Sequence, residues 1–384
     1  MNNKIYFKIT NQKENHHGFQ YRDGLNILDK EFEEDGSCVP GGLYFTDEKN
    51  IFKYINYGIY IREIYLPVTS PTFKMVLDPQ GDKWRANKIY LGKRRKLCRL
   101  ETFKYMDKKG ADFRINNDEL ILWASFHNYL GILKFLVKKG CDITINNNYA
   151  IKIAAEKGYY DMVIYLIKNG ADIFSDNNYA VRYASSGGYF DIVKYLVDNG
   201  ADVTDFRNET IKLASANGHY NIVKYLISNG ANISSGNGES LLLAAMRGHL
   251  NVVKLLSENN IKNDKALIFS AKNGHYEIVK YLVESGYDIN VENNSVFKNA
   301  IKFGHLDIIK YIISLGVNVS ENDNEAIILA SIYGYKPVVE YLILSGANFR
   351  AQNNKSLKKA IKYNHKDVMN YLVGKIIEEQ DNIE

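Results

Sequence analysis

Apolar residues recur along most of this chain at helical spacing. Between Gly158 and Gly170, the stretch Asp161 to Lys168 places Val163, Leu166 and Ile167 at i, i+3 and i+4, one buried stripe of a helix. The stripe returns after Gly188, Gly218, Gly248, Gly274, Gly304 and Gly334, and more loosely from Asn128 and Asn364. The steps are 30 residues, with one of 26 between Gly248 and Gly274. Each unit predicts a first helix as well, such as Tyr149 to Lys157. That helix carries a small residue at one register: Ala124, Ala154, Ala184, Ala214, Ala244, Ser270, Ala300, Ala330 and Ala360. A side chain this small lets neighbouring helices approach closely. Gly158 breaks the chain between helices and Gly170 ends the second one, both roles suited to left-handed backbone. Self-similarity at such a period predicts a solenoid of stacked helix pairs, in which each unit buries its apolar face against its neighbours.

Residues 1–92 lack the repeat. Ile5, Phe7 and Ile9 alternate with Tyr6, Lys8 and Thr10, the pattern of a half-buried strand. Gly41-Gly42-Leu43-Tyr44-Phe45 reads as a turn into a short strand. Thr46 is expected to cap a helix carrying Ile51, Phe52, Tyr54 and Ile55, stopped by Gly58. Strands are expected over Ile59 to Leu66, Phe73 to Leu77 and Lys88 to Leu91. From Lys93 the helical pattern is expected to take over.

The repeated run Gly-His-x-x-(Ile/Val)-Val-Lys-x-Leu-x-x-x-Gly-Ala-(Asp/Asn) stands most fully at Gly218-His219, Val223-Lys224, Leu226 and Gly230-Ala231-Asn232. It resembles the ankyrin repeat, over about residues 93–374. The implied fold class is mainly α: an ankyrin-repeat solenoid of stacked helix pairs with a small N-terminal α+β domain (1–92) and an acidic tail (375–384) expected to fray. Two features depart from the family pattern. The period is 30 rather than about 33, so the projecting loops should be stubby. The Thr-Pro-Leu-His entry to the first helix is replaced by sequences such as Tyr149-Ala150-Ile151-Lys152, preceded by Asn pairs: Asn147-Asn148, Asn177-Asn178, Asn293-Asn294 and Asn353-Asn354. These pairs suit left-handed turns and helix caps, and little hydrogen bonding from one loop to the next is expected. The style is similar to ankyrin proteins of giant viruses of amoebae. At the 26-residue step, Ser257 to Lys265 replaces the turn and nearly all of the loop, which predicts a notch or a weak point.

Composition narrows the picture further. At 46% hydrophobic and 24% charged, the chain is that of a folded domain. No apolar run approaches the ~18 residues of a membrane span, so a cytoplasmic protein is expected, in the host cytoplasm if viral. Cys38, Cys98 and Cys141 are odd in number and far apart, against a disulfide frame or zinc site. The net charge of +5 lies wholly beyond residue 92. The many Tyr, Asn, Ile and Lys residues look like an AT-rich coding bias.

His219, His249, His275, His305 and His365 share one repeat position in a row, where ligands cannot converge on a metal, so a structural role is expected. No phosphate loop or hydrolase motif appears, and neither an enzyme nor a cofactor is expected. The face expected to meet a partner is an exposed row on the first helices: Tyr149, Lys152, Tyr179, Arg182, Glu209, Lys212, Arg247, Lys298, Lys302, Lys358 and Lys362. Its basic members could meet nucleic acid, but interspersed acids argue for ordinary solvated positions. Lys93-Arg94-Arg95-Lys96 reads either as a nuclear-import tag or as the opening of a helix. His16-His17-Gly18 and Gly42-Leu43-Tyr44-Phe45 faintly resemble elements of NAD-dependent ADP-ribosyltransferases, although the catalytic Glu has no place. The plainer expectation is a cap on the first repeat. The chain is thus expected to be a monomeric scaffold that binds a protein, such as a host protein, with the transferase and the nucleic-acid binder as alternatives.

Overall fold

The computed structural model describes residues 4–36 and 41–381. Cys38 lies outside them. The chain divides into two compact units, Met1–Ala180 and Val181–Glu384.

The first unit opens with strands β1 (Tyr6–Thr10), β2 (Asn15–His16), β3 (Phe19–Gln20), β4 (Gly24–Ile27) and β5 (Leu43–Phe45). A 3-10 helix, Ile51–Tyr57, leads to β6 (Tyr60–Tyr65), β7 (Met75–Leu77), β8 (Trp84–Ala86) and β9 (Lys88–Lys96). Three antiparallel sheets result: the two-stranded β2-β3, and two larger ones in the orders β1-β6-β9-β4 and β5-β8-β7, joined where Phe7 N–H donates to Thr46 O at 2.7 Å. The core between them holds Tyr21, Leu43, Phe45, Ile64, Ile89 and Leu91. Thr46 caps no helix: its hydroxyl donates to Asp82 O at 2.5 Å. β1 is not half-buried either. Phe7, Lys8, Ile9 and Thr10 are all buried, because the strand is covered on both faces.

Lys93, Arg94, Arg95 and Lys96 extend β9 rather than opening a helix. Arg94 stands opposite Arg62 and Arg95 opposite Ile61, and Arg95 pairs with Glu63 at 2.6 Å. The first helix starts only at Leu100. The β region packs directly on it: Phe52 of the 3-10 helix stacks on Phe103 at 5.2 Å and meets Phe113 at 5.3 Å.

In the repeats, the second helices bury a slightly different triad from the one the stripe suggests. In Tyr160–Lys168 it is Met162, Val163 and Leu166, with Ile167 only partly covered. The small-residue register is fully buried from Ala124 to Ala360. After most second helices a left-handed Gly closes the helix, as at Gly170 (φ 97°), where Ala171 N–H returns to Leu166 O at 3.0 Å; after Leu250–Glu258 Asn260 (φ 61°) takes that place.

The loop between units is one turn of left-handed backbone, for example Asn146, Asn147 and Asn148 at φ 48°, 56° and 60°. This conformation costs ordinary L-residues ~1–2 kcal/mol each and suits Asn, which explains the Asn pairs. Among the described residues, Thr144, Asn290 and Arg350, which precede three of these turns, make no side-chain cap. The loops are nevertheless tied together. Asn148 Oδ1 accepts Asp172 N–H at 2.8 Å in the first unit. In the second unit Asn208 accepts Asn232 N–H at 2.8 Å, and Asn324 accepts Asn348 N–H at 2.6 Å.

The short repeat drops the left-handed turn and starts its helix, Asp264–Lys272, on a true cap, Asn263 Oδ1 accepting Lys265 N–H at 3.0 Å. Tyr287 stands where most other repeats carry Ala, is buried, and lies with its hydroxyl 3.4 Å from Asn263 N. At the far end, Lys366–Asp381 is one helix that runs through Gly374 instead of fraying there, held by Arg350 on Glu379 at 2.6 Å.

Candidate functional site

The row of first-helix residues is not uniformly exposed. Lys152, Arg182 and Lys212, expected in solvent, are largely buried because the neighbouring unit covers their stems. Each meets an acid of the following repeat. Lys152 pairs with Asp176. In the second unit Arg182 approaches Glu209 at 3.8 Å, Lys212 meets Glu239 at 2.7 Å and Lys298 meets Glu325 at 3.0 Å. Tyr179 is likewise engaged, its hydroxyl donating to Glu156 at 2.9 Å. These residues form rungs between repeats. A row of neutralised rungs does not present the continuous positive track that phosphate backbones require.

Other members of the row do face solvent. Tyr149, Arg247, Lys302, Lys358 and Lys362 are exposed. Arg247 donates to Asn217 Oδ1 at 2.7 Å, and Lys302 lies 5.9 Å from the Tyr333 ring centroid. Exposed aromatic side chains stand at the loops too: Phe174 in the first unit and Phe206 in the second, about half accessible at 55% and 48%.

The histidines hold backbone rather than solvent. His219, His249, His275, His305 and His365 each direct Nε2 at a carbonyl of the preceding repeat, those of Ser186, Ala216, Met246, Lys272 and Ile332, at 2.8–3.0 Å. A carbonyl only accepts, so Nε2 carries the proton.

The tyrosines on the second helices have a structural use that composition hid. Lys134 lies over Tyr165 at 5.4 Å in the first unit; Lys194 over Tyr225 at 5.8 Å and Lys310 over Tyr341 at 5.4 Å repeat the contact in the second. Burial raises the Tyr225 hydroxyl pKa, and its hydrogen bond to Asp198 adds to the rise.

In the N-terminal region, His16, His17, Gly42, Tyr44 and Phe45 line one cavity together. The acid among its lining residues is Asp29.

Comparison with known proteins agrees with the repeat geometry. A family model described as "Ankyrin repeats (3 copies)" matches residues 96–177, 120–207, 151–237, 211–293 and 297–382. A protein of Acanthamoeba polyphaga mimivirus named for its ankyrin repeats is 50% identical over 135 residues, 35% of this chain and 66% of its own length. An uncharacterised protein of the same virus is 48% identical over 135 residues, 35% of this chain and 97% of its own length. A further mimivirus protein named for ankyrin repeats is 43% identical over 141 residues, 34% of this chain and 46% of its own length. Among solved structures, the human ASB11 ankyrin repeat domain aligns with a TM-score of 0.47 at 21% identity, covering 52% of this chain and 98% of that one.

Proposed function

This chain belongs to the ankyrin-repeat family, and from that premise we propose that it binds another protein through the side chains its repeats leave exposed on the first helices and loops. The division of the first-helix row supports this reading. Lys152, Arg182, Lys212 and Lys298 are consumed in rungs, whereas Lys302, Lys358 and Lys362 stand without a carboxylate partner among the described residues. Exposed cations beside accessible aromatics such as Phe303 and Tyr363 suit a protein segment that offers carboxylates and apolar side chains. The similarity to mimivirus proteins supports a reading in which the partner is a host protein, met in the host cytoplasm by a monomeric chain.

The test is affinity capture from an Acanthamoeba lysate with the full chain. A Lys302→Glu, Lys358→Glu, Lys362→Glu triple variant is run beside it, with a Lys138→Glu, Lys168→Glu control on the second helices. Loss of a specific retained protein in the triple variant alone supports the reading. Equal retention by all three sinks this face as the site.

A further inference from the structure

The N-terminal region contains a cavity of about 310 Å³, within the size range of small-molecule sites. Its walls come from β1, the hairpin β2-β3, β5 and the 3-10 helix, so it lies within one folded body. Two lysines enter it from buried positions. Lys83 has company, with Gln80 Oε1 at 3.1 Å and Asp78 at 3.8 Å. Lys8 is different. Its ammonium donates to Tyr44 O at 2.8 Å and lies 4.6 Å from the Tyr21 ring centroid, with no carboxylate in ion-pair range among the described residues. A buried ammonium without a counter-ion is unfavourable; it can shed its proton or take up an anion. Burial does lower Lys8, to about 7, so the group is poised between those two states. The 3-10 helix lends the cavity two aromatic side chains: the rings of Tyr54 and Tyr57 meet edge to face at 5.8 Å, and Tyr57 is 62% exposed. Seven of the lining residues are Phe or Tyr, and the one acid, Asp29, is exposed.

We propose that this cavity binds a planar aromatic ligand carrying an anionic group, the chemistry of a nucleotide, with the ring against Tyr54 and Tyr57 and the anion at Lys8. Aromatic faces accept flat heterocycles irrespective of their hydrogen-bond edges, and the Lys8 ammonium supplies the missing charge complement. The proposal does not depend on the protein-binding face.

Calorimetric titration of the full chain with ADP, adenosine and inorganic phosphate tests this. ADP should bind saturably at one site, with adenosine at least tenfold weaker because it lacks the anion, and phosphate alone weaker still because it lacks the ring. Lys8→Met should weaken ADP at least tenfold while leaving adenosine unchanged, with the thermal midpoint as its control for folding. Tyr57→Ala, at the exposed rim where the fold is not at stake, should weaken both ADP and adenosine severalfold. The proposal is overturned if none of the probes saturates at millimolar concentration, if adenosine equals ADP, or if ADP affinity survives Tyr57→Ala unchanged.

Discussion

His219 Nε2 donates to Ser186 O at 2.9 Å, across one repeat and at the mouth of its inter-helix turn. The ring leaves room there only for glycine: a Cβ on Gly188 would lie 2.6 Å from His219 Cε1, and Gly188 sits at φ 80°. The two residues are therefore one device. The same arrangement recurs where His249, His275, His305 and His365 face Gly218, Gly248, Gly274 and Gly334.

Gly188→Ala should cost about 2–3 kcal/mol, from left-handed strain together with displacement of the ring. His219→Ala should cost about 1–2 kcal/mol through the lost hydrogen bond. In the double variant the costs should fall short of their sum, since the ring that Ala would strike is gone. Additive midpoints in urea would break the link between the pair.

The rungs between repeats should behave asymmetrically. Lys152→Met keeps the packed stem and removes the charge, and is expected within about 1 kcal/mol of the parent. Asp176→Ala leaves the buried Lys152 ammonium uncompensated and should cost more, about 1–2 kcal/mol after allowing for the half-exposed carboxylate. A larger loss for the methionine variant would contradict this assignment.

Leu196→Ala should cost about 2–5 kcal/mol by opening a cavity at a fully buried position. At the 26-residue step the Tyr287 hydroxyl lies 3.4 Å from Asn263 N, and Asn263 caps the following helix. Leu256→Ala is therefore expected to lower stability by a similar amount, within the same cooperative transition. Tyr287→Ala should cost about 3–5 kcal/mol and bring out the seam as a second transition. A Tyr287→Ala protein that melts like its parent would show that the ring is dispensable.

Glu63 gathers Tyr65, Tyr105 and Arg95 at 2.8, 2.5 and 2.6 Å, joining β6 and β9 to the first repeat helix. Burial alone would raise its carboxyl, but these hydrogen bonds outweigh burial and hold it below the usual carboxylate range. Its contribution is thus present above the unfolded value of about 4.3 and lost as pH falls through the depressed native value. Glu63→Gln should flatten the acid limb of a stability-versus-pH curve measured by chemical denaturation. An unchanged acid limb would remove Glu63 from the account.

Burial pushes the Cys141 thiol up to about 12, with Asp118 adding to the rise. Iodoacetamide at pH 8 should modify exposed Cys98 and spare Cys141 until the protein unfolds, as read by peptide mass mapping. Early labelling of Cys141 would mean that the first repeats open locally.

Period and stripe were enough to lay out the repeats. A helix must bury one face, a unit this small can bury it only against a copy of itself, and so Ala154, Gly158, Val163 and Gly170 declare their places locally. The Asn pairs declared left-handed backbone for the same reason, since that preference belongs to the residue and its own φ and ψ. Contacts between units were not legible. Nothing local told that Asn148 would accept from Asp172, that Lys152 would be covered and paired with Asp176, or that Lys302 would stay in solvent, because each depends on how closely the next repeat lies. Lys8 is the sharpest case. Alternation along β1 assigned it to water, and only a second layer of strands and the 3-10 helix, brought from distant sequence, closed a cavity around its ammonium. Periodicity reports which faces a segment can bury; which of them are buried is decided when the segments meet.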